Sequence, residues 1–326
     1  MDWEIVGTCN GTYIRGPKQH DDHKELTLIG QLNAGDNAES LDEQHWLVFS
    51  RPVTTPNGEP AGQVEVAFKL VEDGKSSRRS IVKAEDSNLV VFFPTEKQTH
   101  CGFLLQGPYK TTSSRDNVPH ANNWNNHLVK ETAKLVSETL LKLAALKMAS
   151  VGLLQAMPLL RSREIPDDQM FRPVYDAVVE TVKNYRLIPA AAGRLVSGRC
   201  ARIARGKGLV DLFAPQQLTL LLRADEDEKL DWITPEISLS RSETSDLFAF
   251  LRDVLDVEQI EPEDLPPNLT EEFFQAQTTT WMVKFYTFLL DHDRLWRRDK
   301  PRGDLLDQPF VRLQDNRHAT PFRSDG

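Results

Sequence analysis

Two cations and four hydroxyls fall within six consecutive residues, Lys110-Thr111-Thr112-Ser113-Ser114-Arg115, with Asp116-Asn117 directly after them. Side chains of these types suit the neutralisation and hydrogen bonding of a phosphate-like anion. Gly107-Pro108 marks a turn just before them. An ordinary strand–helix connection with solvated charges has the same composition, so the residues alone leave both readings open.

A second cationic group is Arg194, Arg199, Arg202, Arg205 and Lys207, whose three-residue spacing over 199–205 suits a strip for phosphates. The residues between them are small or aliphatic and offer no aromatic stacking platform. A solvated edge or a set of intramolecular ion pairs is the favoured reading. His20 and His23 flank two aspartates. Two histidines in an acidic loop could hold a metal, but a solvated turn is the favoured reading and no metal site is expected. Asp225–Glu228 reads as a surface loop.

Several catalytic signatures are missing. Gly206-Lys207-Gly208 lacks the spacing of a GxxxxGK[ST] phosphate loop, and neither GxSxG nor HExxH occurs. The three cysteines, Cys9, Cys101 and Cys200, are far apart and form neither a disulfide framework nor a zinc knuckle. That usage points to a reducing compartment. No basic and apolar leader opens the chain and no apolar run reaches membrane-spanning length. A cytoplasmic protein without a membrane partner is expected. The formal charge of −9 argues against a chain-wide nucleic-acid role.

The elements that must position these residues are legible in part. Leu26–Leu32, Trp46–Val53, Gln63–Leu70, Leu89–Pro94 and Cys101–Gln106 read as strands, separated by turns such as Pro56-Asn57-Gly58 and Glu72-Asp73-Gly74. From Asn122 to Ala149 a helix is predicted, with a drifting polar stripe of Lys130, Lys134, Glu138 and Lys142. Leu128, Leu135, Val136, Leu140 and Leu143 lie opposite, and Asn122 or Asn123 caps the start. The loop at 107–117 thus runs from a strand to the partly positive N-terminus of a long helix. Further helices are expected over Asp167–Asn184, Pro215–Leu222 and Glu243–Leu255, and from Thr270 to about Asp291. Leu187-Ile188-Pro189 and Pro309–Leu313 read as extended pieces. The fold class is therefore α+β: a mixed sheet with a long helix over 1–150, then a helix-rich α/β unit over 151–326, with the boundary near Ser150–Pro158.

Several stretches together resemble one family. These are Trp46-Leu47-Val48-Phe49-Ser50-Arg51, Phe92-Phe93-Pro94-Thr95, Gly102–Thr112, Arg115-Asp116-Asn117, Trp124-Asn125, Leu187-Ile188-Pro189, the helix around Trp281–Leu289 and Val311-Arg312-Leu313-Gln314-Asp315. They are similar to the region after the ATPase domain in the sacsin-like, Hsp90-like ATP-binding proteins of the GHKL superfamily, although Asn316 stands where that family more usually has glycine. In the ninety-kilodalton heat-shock chaperones a middle domain has a similar strand–loop–helix layout, and the loop arginine reaches the ATP γ-phosphate. The resemblance implies Arg115 as that contact and Lys110 as a second cation. Thr111, Thr112, Ser114, Asp116 and Asn117 would serve as accessory groups, Asp116 orienting the guanidinium and Asn117 bracing the turn. Arginine fingers as a class are worth roughly 10³–10⁵ in rate.

The family's Asp-x-Gly-x-Gly nucleotide motif is not in the sequence. The expectation is a middle-region fragment that binds no cofactor and hydrolyses no ATP alone. ATP and Mg²⁺ would enter only with a GHKL ATPase domain supplied by a longer or separate chain, and protein clients are expected partners. The other readings are a stand-alone protein-interaction module, in which Phe273, Phe274, Trp281, Phe285 and Phe288 either present an apolar patch to a partner or, the commoner fate of aromatics at helical spacing, bury a core, and a nucleic-acid binder acting through Arg199–Lys207.

Overall fold

A computed structural model describes residues 2–5, 10–33, 41–72, 79–85, 87–113, 117–159, 170–224, 229–299 and 303–321. The chain forms two compact units, Met1–Leu187 with Leu239–Phe250, and Ile188–Ser238 with Leu251–Gly326.

The first unit is built on strands β1 (Asp2–Ile5), β2 (Asn10–Gln19), β3 (Lys24–Asn33), β4 (Leu41–Thr54), β5 (Pro60–Glu72), β6 (Arg79–Val82), β7 (Asn88–Val91), β8 (Phe93–Gln98) and β9 (Leu104–Gln106). Among the described residues they make one mixed sheet of order β1-β2-β3-β4-β5-β9-β7-β8, with β6 also on β5. The first five strands form an antiparallel meander, whereas β7 and β9 pair in parallel. In β5 strict alternation buries Val64, Val66, Phe68 and Leu70 and turns the residues between them outward. Pro56-Asn57-Gly58 makes the β4–β5 turn, with Gly58 at φ 83°. Of the second turn read from sequence, Asp73 and Gly74 lie outside the described residues, as does the Asp225–Glu228 run.

Two strand readings are corrected. Leu89–Pro94 is not one strand: β7 ends at Val91, Phe92 turns at φ 61°, and Phe93 begins β8 antiparallel to β7. Continuous apolar character hid a tight hairpin. The strand read over Cys101–Gln106 is shorter, beginning only at Leu104. Before it, the peptide of Gly102 bonds instead to Ala84 and Ala156.

Helix α1 (Asn123–Ala145) buries Leu128, Leu135, Val136, Leu140 and Leu143 against β4 and β5. It stops before the predicted Ala149, with Lys147 at φ 59°. Arg51 of β4 binds this helix twice, Nε to Glu131 at 2.8 Å and Nη1 to Glu138 at 2.7 Å. Lys134, and then Arg51, hold the Glu131 carboxyl below its usual range against the opposing effect of burial. Beyond α2 (Val151–Gln155), helix α3 (Arg172–Asn184) packs along α1 through Val178 and Val182, and Thr181 donates to Ser137 at 3.0 Å. The predicted helix start at Asp167 lies outside the described residues. Because α3 belongs with α1, the units divide at Leu187/Ile188 and not at the compositional change near Ser150–Pro158.

The second unit contains β10 (Ile188–Pro189), β11 (Leu195–Val196), β12 (Ala201–Ala204), α4 (Leu209–Leu212), α5 (Pro215–Leu221) and β13 (Asp231–Trp232). Helix α6 (Ser245–Asp253) leads back into it, followed by β14 (Gln259–Ile260), α7 (Glu271–Gln275), α8 (Thr279–Asp291), β15 (Val311–Arg312) and β16 (His318–Ala319). Strand β12 lies between β13 and β14, parallel to both. The helix expected from Thr270 to Asp291 is two helices, each with its own threonine cap, Thr270 and Thr278. Phe213, Phe273, Phe274, Trp281 and Phe285 form the core. Trp232 and Trp281 keep their indole N–H groups bonded to Phe213 O and Leu212 O.

Candidate functional site

The loop read from sequence as anion-facing is anchored at its base by the first turn of α1. Asn125 is fully buried in that turn. Its Oδ1 accepts the Lys110 N–H at 2.8 Å, and its Nδ2 donates to Lys110 O at 3.0 Å and Pro119 O at 2.9 Å. Trp124 Nε1 donates to Pro108 O at 3.0 Å, and Asn122 Oδ1 caps the helix by accepting from Trp124 N and Asn125 N.

Tyr109 pins the strand side. Its ring is buried, its hydroxyl pairs with Thr132 at 3.0 Å, and burial pushes its phenol well above the usual range. A β-carbon on Gly107 would stand 2.8 Å from the Tyr109 ring, so the turn needs glycine for close approach. The neck is closed by Thr112, whose N–H donates to Asn117 O at 3.0 Å and whose hydroxyl accepts from Asn117 N at 3.2 Å.

Of the residues read from sequence, Lys110, Thr111, Thr112 and Asn117 therefore share one closed loop. Lys110 and Asn117 are exposed, and Thr111 and Thr112 half-buried. Ser114, Arg115 and Asp116 lie outside the described residues. Lys110 lines an open cleft of about 710 Å³ with Asn122, Asn123, Trp124, His127, Thr55 and Pro56. The first turn of α1 carries no acidic residue. A cation beside a helix N-terminus that lacks acidic side chains favours negative charge.

No family model matches the chain, and no curated protein or solved structure does. What the chain can do must be read from its own groups.

Sequence reasoning named Asn125 only within a motif and gave it no role. The signal for one was an amide on the apolar arc of a helix, where a buried polar side chain needs partners. The second cationic group is largely paired. Arg194 meets Asp231 at 2.8 Å, Arg202 meets Glu258 at 3.0 Å, Arg205 meets Glu261 at 3.0 Å and Lys207 meets Asp291 at 3.5 Å. The aromatic residues read as a possible docking face are core: Phe273, Phe274, Trp281, Phe285 and Phe288 are all buried. Among the described residues the most exposed aromatics are elsewhere, Phe92 at 79% and Phe93 at 65%. No helix among the described residues is long and apolar enough to cross a membrane.

Proposed function

We propose that the loop 107–117 is a phosphate-facing arm that works with an ATPase domain of the GHKL type carried by a longer or separate chain. On this reading the first unit acts like the middle domain of the ninety-kilodalton heat-shock chaperones, in a cytoplasmic, chaperone-like machine. The observation that carries it is the clamp of Asn125 on both sides of Lys110. It holds the main chain of Lys110 at the base of the loop, beside a helix N-terminus whose first turn has no acidic residue. Preorganised cations stabilise charge that develops on a transferring phosphoryl group. The chain itself would bind ATP and Mg²⁺ only through that partner.

The test is to titrate the chain into a GHKL ATPase domain and follow ATP turnover. Stimulation is expected, with Arg115→Ala removing at least about 10-fold of it and Lys110→Ala less. No stimulation, or equal stimulation by the Arg115→Ala variant, would overturn the arm.

A second reading, a protein-interaction module without a nucleotide role, is supported by the exposed pair Phe92 and Phe93 on the β7–β8 turn. Adjacent exposed aromatics are costly to leave in water and are common contact residues. Loss of partner capture by Phe92→Ser/Phe93→Ser with normal ATPase stimulation would separate the two.

A further inference from the structure

We propose that His20, His23 and Glu25, at the β2–β3 turn, form a binding site for Zn²⁺ that is separate from the 107–117 loop. Each offers one ligand atom, and the three atoms lie within 4.8 Å of one another.

The geometry within the cluster is specific. His20 Nε2 is buried and makes no hydrogen bond, yet it stands 3.4 Å from Glu25 Oε1. Two ligand atoms on one tetrahedral zinc, at about 2.0–2.1 Å each, stand roughly 3.3 Å apart. A buried, unbonded ring nitrogen is costly, and an ion between it and the carboxylate would satisfy both. On the other histidine, His23 Nδ1 meets Asp22 Oδ1 at 2.6 Å. A ring nitrogen bound to a carboxylate leaves the opposite nitrogen as the metal ligand, the usual outer-shell arrangement of zinc histidines. Glu25 is oriented in the same way, its second oxygen meeting Arg79 Nη1 at 3.4 Å.

The turn brings these groups together. β2 and β3 pair as far as Gln19 opposite Lys24, so the four-residue turn sets His20 and His23 across from each other. His20 N bonds His23 O at 2.9 Å, and Gln19 Nε2 donates to His20 O at 2.7 Å. The two imidazoles stack, with centroids 4.4 Å apart and 10° between planes. A metal lies in the plane of each ring that binds it, so one ring must tilt out of the stack to close the site. At 31% exposure His20 and Glu25 have the freedom and the access to do so. Two imidazoles and one carboxylate select a late first-row ion over Mg²⁺ or Ca²⁺, which demand more oxygen ligands. Three protein ligands leave a fourth position for water.

The test uses the untagged full chain, stripped with chelator and titrated with Zn²⁺ against a chromophoric competitor. One equivalent should bind. His20→Ala or His23→Ala should weaken binding by more than roughly 100-fold, and Asp22→Asn, which removes only the outer carboxylate, by about 10–100-fold. Circular dichroism checks that the variants keep the sheet. Independently of any variant, zinc should shift the ring resonances of His20 and His23 in the wild-type chain and leave those of the other described histidines in place. Absence of a stoichiometric site, unchanged affinity in His20→Ala and His23→Ala, or shifts confined to other histidines would each overturn the assignment.

Discussion

Asn125 replaces solvent for three backbone groups at once, the N–H and C=O of Lys110 and the C=O of Pro119. Asn125→Ala would remove the partner of all three part-buried groups, at a cost of about 1–3 kcal/mol per orphaned group, less where water enters. The expected outcome is a chain destabilised by at least about 2 kcal/mol in chemical denaturation, with faster amide exchange over 108–112. A variant as stable as the parent would mean that the clamp does not hold the loop. His318 carries the pH dependence at this scale. Burial first, and then the Arg312 guanidinium, hold its pKa below the ordinary value, with Glu271 opposing. Arg312 Nε donates to His318 Nε2 at 3.2 Å, which requires the neutral ring. The unfolded chain takes up this proton near pH ~6.5, and the folded chain only lower. The stabilisation is therefore complete above ~6.5 and is lost as pH falls towards the folded value. Unfolding at pH 7.5 and 5.5 should show a larger loss for the parent than for His318→Gln, and equal losses would refute the assignment. Strands β15 and β16 pair antiparallel as a hairpin, and Asn316 lies in its turn. Its φ is 65°, a conformation glycine adopts freely and asparagine tolerates better than most residues.

Elements were legible where one period governed a whole segment. Alternation in β5 and the 3.6-residue stripe of α1 specify their buried faces without tertiary information. The start of α1 was equally legible, because Asn122 caps through its own side chain. Leu89–Pro94 was not, since an apolar run gives no sign of a reversal made by a residue other than glycine or asparagine. Phe92 holds a left-handed conformation that costs an aromatic residue roughly 1–2 kcal/mol. Phe92→Gly should therefore stabilise the β7–β8 hairpin by up to about 1 kcal/mol, read as a rise in denaturation midpoint. The Phe93 side chain stays exposed in this variant, so its effect on partner capture isolates Phe92. A drop in stability would show that the Phe92 ring supports the hairpin in a way its 79% exposure does not suggest.

At the scale of the whole molecule, partners distant in sequence decided what composition left open. Arg51 meets Glu131 and Glu138, and the unit boundary follows α3 to Leu187 because that helix packs on α1. No local window contains such pairings. The cationic group at 194–207 makes the same point with a measurable consequence. Its spacing suits a phosphate strip, yet Arg194, Arg202, Arg205 and Lys207 each face a carboxylate of the second unit, in a chain of formal charge −9. Nucleic acid would have to displace these carboxylates and approach a net negative protein, so little counterion release remains to drive binding. Filter binding at low salt should show no retention of single- or double-stranded DNA. Exposed ion pairs contribute little to stability, so Glu261→Gln should fold normally while freeing Arg205. If pairing is what silences the strip, that variant should gain weak retention whose logarithm falls with log salt at a slope of about −1, one unit for the one freed cation. Retention by the parent chain at the same slope would mean that the pairs open for phosphate, and would return the strip to the set of functional surfaces.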